Sequence, residues 1–68
     1  MKNHLYQNDI VIVNGIGKCD NKYYENIVGT VICRDPYFLD YNVKFEDNTE
    51  DWFDVKFLKE YKEEKLWK

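Results

Sequence analysis

The chain reads as all-β, with five short strands forming one small barrel. Three observations predict this. Residues 39–46, LDYNVKFE, alternate apolar and polar without a break, which places Leu39, Tyr41, Val43 and Phe45 on one face of a strand. An Asp-Asn-Thr turn and then Asp51, Trp52 and Phe53 follow it, and IVGTVIC precedes it, so a hairpin lies at the centre of three consecutive strands. With only 68 residues, an open sheet edge is a liability that closure removes.

Each element has a local cause. Asn8 and Asp9 lead into Ile10, Val11, Ile12 and Val13, a β-branched run stopped by Asn14, Gly15 and Gly17; this is the first strand. Residues 14–26 turn polar and aromatic and read as a long surface loop. The second strand covers residues 27–34, with Gly29 marking a bend or bulge where another backbone comes close. Asp35 and Pro36 end it, and Tyr37 and Phe38 occupy the turn into the third strand. Residues 47–49 turn the chain into a brief fourth strand, 50–54. Residues 54–57 suit one helical turn, and 58–61 a fifth strand. The expected core is Val11, Val13, Ile27, Val31, Cys33, Leu39, Tyr41, Val43, Phe45, Phe53, Val55 and Leu58.

The expected organisation is a flexible N-terminus over 1–7, the barrel over 8–61, and a tail or short helix over 62–68. The tail lacks glycine and proline and pairs Glu64 with Lys68 at helical spacing, yet so short a helix is marginal alone. Its Leu66 and Trp67 either fold back, meet a partner or stay disordered. With Val11 and Val13 inward, Ile10, Ile12 and Ile32 give the opposite face an apolar character, suited to the tail or to another chain.

Composition narrows the function classes. The chain is 44% apolar and 18% aromatic, too rich for a disordered segment. No charged start leads into an apolar run, and none approaches the ~18 residues of a membrane span, so the expected location is cytoplasmic. Cys19 and Cys33 lack the spacing of a metal site and read as free thiols. Residues 1–55 carry 5 basic and 10 acidic side chains and residues 56–68 carry 5 and 3. An acidic body disfavours phosphate binding.

Enzyme chemistry is poorly supplied. His4 stands alone near the N-terminus, there is no serine, and Thr30 and Thr49 are the only threonines. Cys19 has Lys18 and Lys22 nearby, an arrangement that lowers a thiol pKa, but a bland loop cysteine is the favoured reading. Glu46, Asp47, Glu50, Asp51 and Asp54 crowd one turn without the glycine and ligand spacing of an EF-hand. They read as a solvated acidic hairpin or a docking patch rather than a metal site. No cofactor and no catalytic residue is expected.

The order Asp9-Ile10-Val11-Ile12-Val13, Val28-Gly29-Thr30-Val31, Tyr41-Asn42-Val43-Lys44-Phe45-Glu46 and a closing Phe57-Leu58 resembles the Src-homology-3-like small barrel, the layout that Tudor and KOW modules share. Tyr24, Asn26 and Val28-Gly29-Thr30-Val31, followed by Tyr41, Val43, Phe45 and Glu46, are also similar to the E subunit of photosystem I and its electron-transport relatives. That resemblance implies an accessory docking barrel without catalytic groups. The chain departs from the pattern at residues 48–52, which replace an asparagine-rich segment, and in being acidic where ferredoxin docking favours basic residues.

Aromatics carry the functional expectation. Tyr41, Phe45 and Phe53 suffice for the core, leaving Tyr23, Tyr24, Tyr37, Phe38 and Trp52 for loops and strand ends. By the Tudor resemblance, Tyr24, Phe38 and Trp52 converge on a cation-gripping cage; otherwise the rings cap the barrel ends. The expected function is a non-enzymatic binding module docking on a protein partner through Tyr23, Tyr24, Tyr37, Phe38 and Trp52, flanked by Asp47, Glu50 and Asp51. A phage or mobile-element accessory protein or inhibitor fits that description. The alternative is a KOW-like nucleic-acid module using Lys18, Lys22, Arg34 and the tail lysines. No membrane partner is expected, and the oligomeric state is open.

Overall fold

A computed structural model describes residues 5–61. Five strands, β1 (Ile10–Ile16), β2 (Tyr23–Arg34), β3 (Asp40–Phe45), β4 (Glu50–Asp54) and β5 (Leu58–Glu60), form one antiparallel sheet in the order β4-β3-β2-β1-β5. The fourth strand and the turn before the fifth stand where the sequence places them. A 3-10 turn at Val55–Phe57 is capped by Asp54, whose carboxylate accepts the Lys56 N–H. The expected helix over 62–68 lies outside the described residues. Among the described residues no helix is long and apolar enough to cross a membrane.

The pairing is that of a five-stranded sheet with β4 and β5 at its ends, and no ladder joins those two among the described residues. Among the described residues, one backbone bond reaches the outer edge of β4, from the Lys18 N–H to the Trp52 carbonyl at 2.9 Å. The turn between β1 and β2 therefore curls over to the far end of the sheet.

The long loop expected over 14–26 is mostly strand. β1 runs on to Ile16, β2 begins at Tyr23, and residues 17–22 turn between them, with the Gly17 N–H donating to Lys22 O at 2.9 Å. Polar composition hid the ladder because it contains a bulge: Val13 pairs with Ile27 and Gly15 with Tyr24, so Glu25 and Asn26 together oppose Asn14. Side chains replace the interrupted backbone bonds. The Asn26 N–H donates to Asn14 Oδ1 at 3.0 Å, and Asn14 Nδ2 donates to Asn26 Oδ1 at 3.1 Å. Asn26 adopts φ 54° and Gly15 φ 152°, conformations that asparagine and glycine tolerate best.

Gly29 is not the bulge. It stays in register with Val11 and Phe45, and the second irregularity falls between Val31 and Cys33. Its role is close packing: a side chain there would strike Val43, the Lys44 carbonyl and the Phe45 ring.

The core comprises Leu5, Val11, Val13, Tyr24, Val31, Tyr41, Val43, Phe45 and Phe53, with Val55 and Leu58 packed against it. Three expected members are exposed instead. Leu39 has φ 61° and sits in the turn before β3, so the strand alternation starts one residue later than the sequence pattern suggests. Ile27 shares a face with Val13, but β3 begins to pair with β2 only at Gly29, leaving Ile27 without a cover. The irregularity after Val31 accompanies the exposure of Cys33. Of the stretch expected to be flexible over 1–7, residues 5–7 are described: Leu5 is buried, and its N–H donates to the Tyr41 hydroxyl at 3.3 Å.

Candidate functional site

Two of the expected docking residues belong to the interior. Asp51 alternates inward on β4 beside Phe53 and is 1% exposed. Its Oδ1 accepts the Cys19 N–H at 2.9 Å and its own neighbour's, Trp52 N–H, at 2.7 Å, while Oδ2 accepts the Tyr24 hydroxyl at 3.4 Å. Gly17 makes room for it, since any β-carbon there would overlap the carboxylate. Asp51 thus ties the 17–22 turn to β4, and the reading of it as a surface docking charge is corrected.

Tyr24 is the second. The bulge at Asn26 aims its ring inward, where it stacks on Phe45 with centroids 4.9 Å apart and meets Phe53 edge-on at 5.2 Å. The Lys22 ammonium sits 5.2 Å from the ring centroid on its exposed side. Burial, helped by the Asp51 carboxylate, pushes the Tyr24 phenol above its ordinary range.

The cage expected from Tyr24, Phe38 and Trp52 is not assembled. Tyr24 packs against Phe45 at the end of β3, whereas Phe38 precedes its start; the six-residue strand between them is roughly 17 Å long at ~3.3 Å per step. Trp52 pairs with Asn42 on the opposite face from Asp51 and is half-buried. With the Asn42 amide oriented by its neighbours, Nδ2 donates to Glu50 Oε1 and Oδ1 accepts from Trp52 Nε1, each at 3.2 Å. Trp52 and Glu50 therefore cover a buried amide.

The remaining charges are individually engaged. The exposed Asp47 accepts the Thr49 N–H at 3.1 Å and its hydroxyl at 2.6 Å, bonds that hold its carboxyl below the usual carboxylate range. Lys18 Nζ grips both oxygens of the buried Asp40, at 3.0 and 2.9 Å. Desolvation and the Asp51 carboxylate push the Cys19 thiol up, opposite to the lowering expected from the nearby lysines. Among the described residues, no three His, Cys, Asp or Glu side chains converge as metal ligands would.

What stays free is the turn between β2 and β3. Tyr37 is 86% exposed, Phe38 74% and Leu39 50%. The backbone beneath them is tightly tied: Asp35 Oδ1 accepts the N–H groups of Tyr37 at 2.7 Å and Phe38 at 3.2 Å. Asp35 O accepts the Leu39 N–H at 3.0 Å, and the Asp35 N–H donates to Asp40 O at 2.8 Å. Holding leucine in the left-handed region costs about 1–2 kcal/mol. A strained, hydrogen-bonded turn that presents three large apolar side chains to solvent is a feature of interaction sites. Leu39→Asn, which tolerates this φ, is expected to raise stability by about 0.5–1 kcal/mol, seen as a higher urea midpoint at unchanged slope.

Tyr23, 62% exposed, lies elsewhere. It lines an open groove of about 960 Å³ along β2, together with Ile27, Val28, Phe45, Glu46 and Asp47 among others. Sequence reasoning missed Leu39 and Ile27 as surface residues, because alternation and β-branching both read as burial; the positive φ and the short reach of β3 leave no mark in the pattern. Comparison with family models, curated proteins and solved structures finds no match to this chain.

Proposed function

We propose that the chain is a non-enzymatic module that docks on another protein, anchored by Tyr37, Phe38 and Leu39. The observation that carries this reading is the exposure of all three on a backbone held by Asp35 and strained at Leu39. Large apolar side chains fixed in advance lose little freedom on binding, and aromatic anchors of this type dominate the energy of protein interfaces. The strand order, with the 3-10 turn leading into β5 and the Lys18 bond to Trp52, supports a Src-homology-3-like barrel as the scaffold. Exposed Asp47 and Glu50 lie at the opposite end of β3 and contribute to steering rather than to the anchor.

The nucleic-acid alternative draws less support. Lys18 is committed to Asp40, Lys22 covers Tyr24, and Arg34 stands at the far end of β2. Among the described residues these three cations form no basic stripe.

The test compares the chain with Tyr37→Ser/Phe38→Ser as bait for a cell extract, followed by titration of each captured protein. The double variant is expected to keep its urea midpoint within about 0.5 kcal/mol, as exposed substitutions do, and to lose at least about tenfold in affinity. Equal affinity in a folded double variant overturns the anchor. Nucleic acid as the captured species, released steeply by salt, overturns the protein reading.

A further inference from the structure

The first half of β2 has a neighbour on one side only. Against β1 its ladder runs from Tyr23 to Thr30, but against β3 it starts at Gly29, opposite Phe45. Residues 23–27 therefore present one edge of main-chain groups with no strand alongside, among the described residues. Such an edge is a template for one more strand.

The surroundings are shaped for an occupant. The open groove beside this edge has Phe45 and Tyr24 in its lining, and the β3–β4 hairpin supplies Glu46, Asp47 and Thr49. Tyr23 and Val28, opposite Ile16 and Ile12, share one face of β2 and are 62% and 47% exposed, while Ile27, 40% exposed, lies on the other face, so one face offers an added strand two apolar footholds. Its charge is uneven. Glu25, Glu46 and Asp47 line it against Lys22 and Lys44, and Lys22 is already drawn over the Tyr24 ring.

We propose that this edge of β2 binds an extended peptide segment of a partner protein, alternating apolar and basic residues, as an added strand. Main-chain bonds to residues 23–27 set its direction, apolar side chains pack on Tyr23 and Val28, and basic ones are drawn by Glu25, Glu46 and Asp47. The left-handed Asn26 bends the edge, so the main-chain pairing is short and side chains in the groove supply the rest. The site is separate from the Tyr37–Phe38 turn, and a module with both holds two segments at once.

The probe is a blocked hexapeptide of alternating lysine and valine, titrated into the isotope-labelled chain and followed by backbone amide shifts. Saturable shifts confined to residues 22–32 and 44–49 are expected. Methylating the peptide's amide nitrogens on one edge is expected to weaken binding at least tenfold, and Glu46→Lys/Asp47→Lys at least threefold with a flatter salt dependence. Tyr37→Ser/Phe38→Ser leaves it unchanged, so this site and the turn fail separately. Shifts centred on the turn, equal binding by the methylated peptide, or no shift at millimolar peptide each overturn the proposal.

Discussion

Phe53→Ala is expected to remove about 3–5 kcal/mol of stability and to leave much of the protein unfolded at room temperature. Phe53 is fully buried on β4, paired across from Tyr41. Its ring meets Tyr24 edge-on at 5.2 Å and Phe45 at 6.0 Å, so truncation empties the centre of a three-ring cluster. Neighbours cannot collapse into the space, because Val11, Val13, Val31 and Val43 around it are short and held by ladders from three strands. A domain of this size commonly has only a few kcal/mol in reserve. Circular dichroism with urea titration measures the loss directly. Phe53→Leu, which keeps most of the volume, is expected to cost about 1–2 kcal/mol; equal losses for the two would mean the ring contacts, and not the filled space, set the stability.

Asp51→Ala is expected to cost about 3 kcal/mol, the range for removing an acceptor that buried donors depend on. Two donors from other segments lose their partner: the Cys19 N–H in the 17–22 turn and the Tyr24 hydroxyl on β2. The loss is conformational as well as energetic, because the Asp51 bond to Cys19 and the neighbouring Lys18 bond to Trp52 hold the turn against β4. Asp51→Asn separates these effects. Its amide oxygen can serve Cys19 and Trp52 while its nitrogen donates to the Tyr24 hydroxyl, so a loss of only about 1 kcal/mol is expected. Hydrogen exchange gives the local readout: Lys18 and Cys19 amides lose protection in Asp51→Ala and keep most of it in Asp51→Asn. Asp47→Ala, on the exposed hairpin, is expected to change stability by less than about 1 kcal/mol.

The contrast between those two aspartates shows which parts of the molecule are legible in its sequence. Alternation in Tyr41, Val43 and Phe45 and the breaks at Pro36 and at the 47–49 turn locate β3, β4 and their hairpin, because each depends on local spacing alone. The helical turn before β5 and the strand itself are legible for the same reason. Asp47 and Asp51 look alike in sequence, both acidic residues beside one turn. What separates them is the 17–22 turn, more than 25 residues earlier, folding over β4, and no local pattern records that contact. Tyr24 is misread similarly: its inward aim depends on a bulge whose two asparagines lie 12 positions apart. Tyr37 and Phe38, next to a proline in a tight turn, are where the sequence places them.

The ladder between β1 and β5 pairs Val11 with Glu60 and Val13 with Leu58. During synthesis, β1 must wait until Leu58–Glu60 has been made before it gains its second neighbour. A ribosome tunnel hides the newest stretch of polypeptide, so β1 and β2 emerge as a hairpin with one flank uncovered while β5 is still enclosed. Long-separation pairings of this kind slow folding and prolong the exposure of strand edges. The bulge at Asn26 shortens the stretch of β2 on which another chain can pair, and the acidic hairpin after β3 repels a second copy of itself.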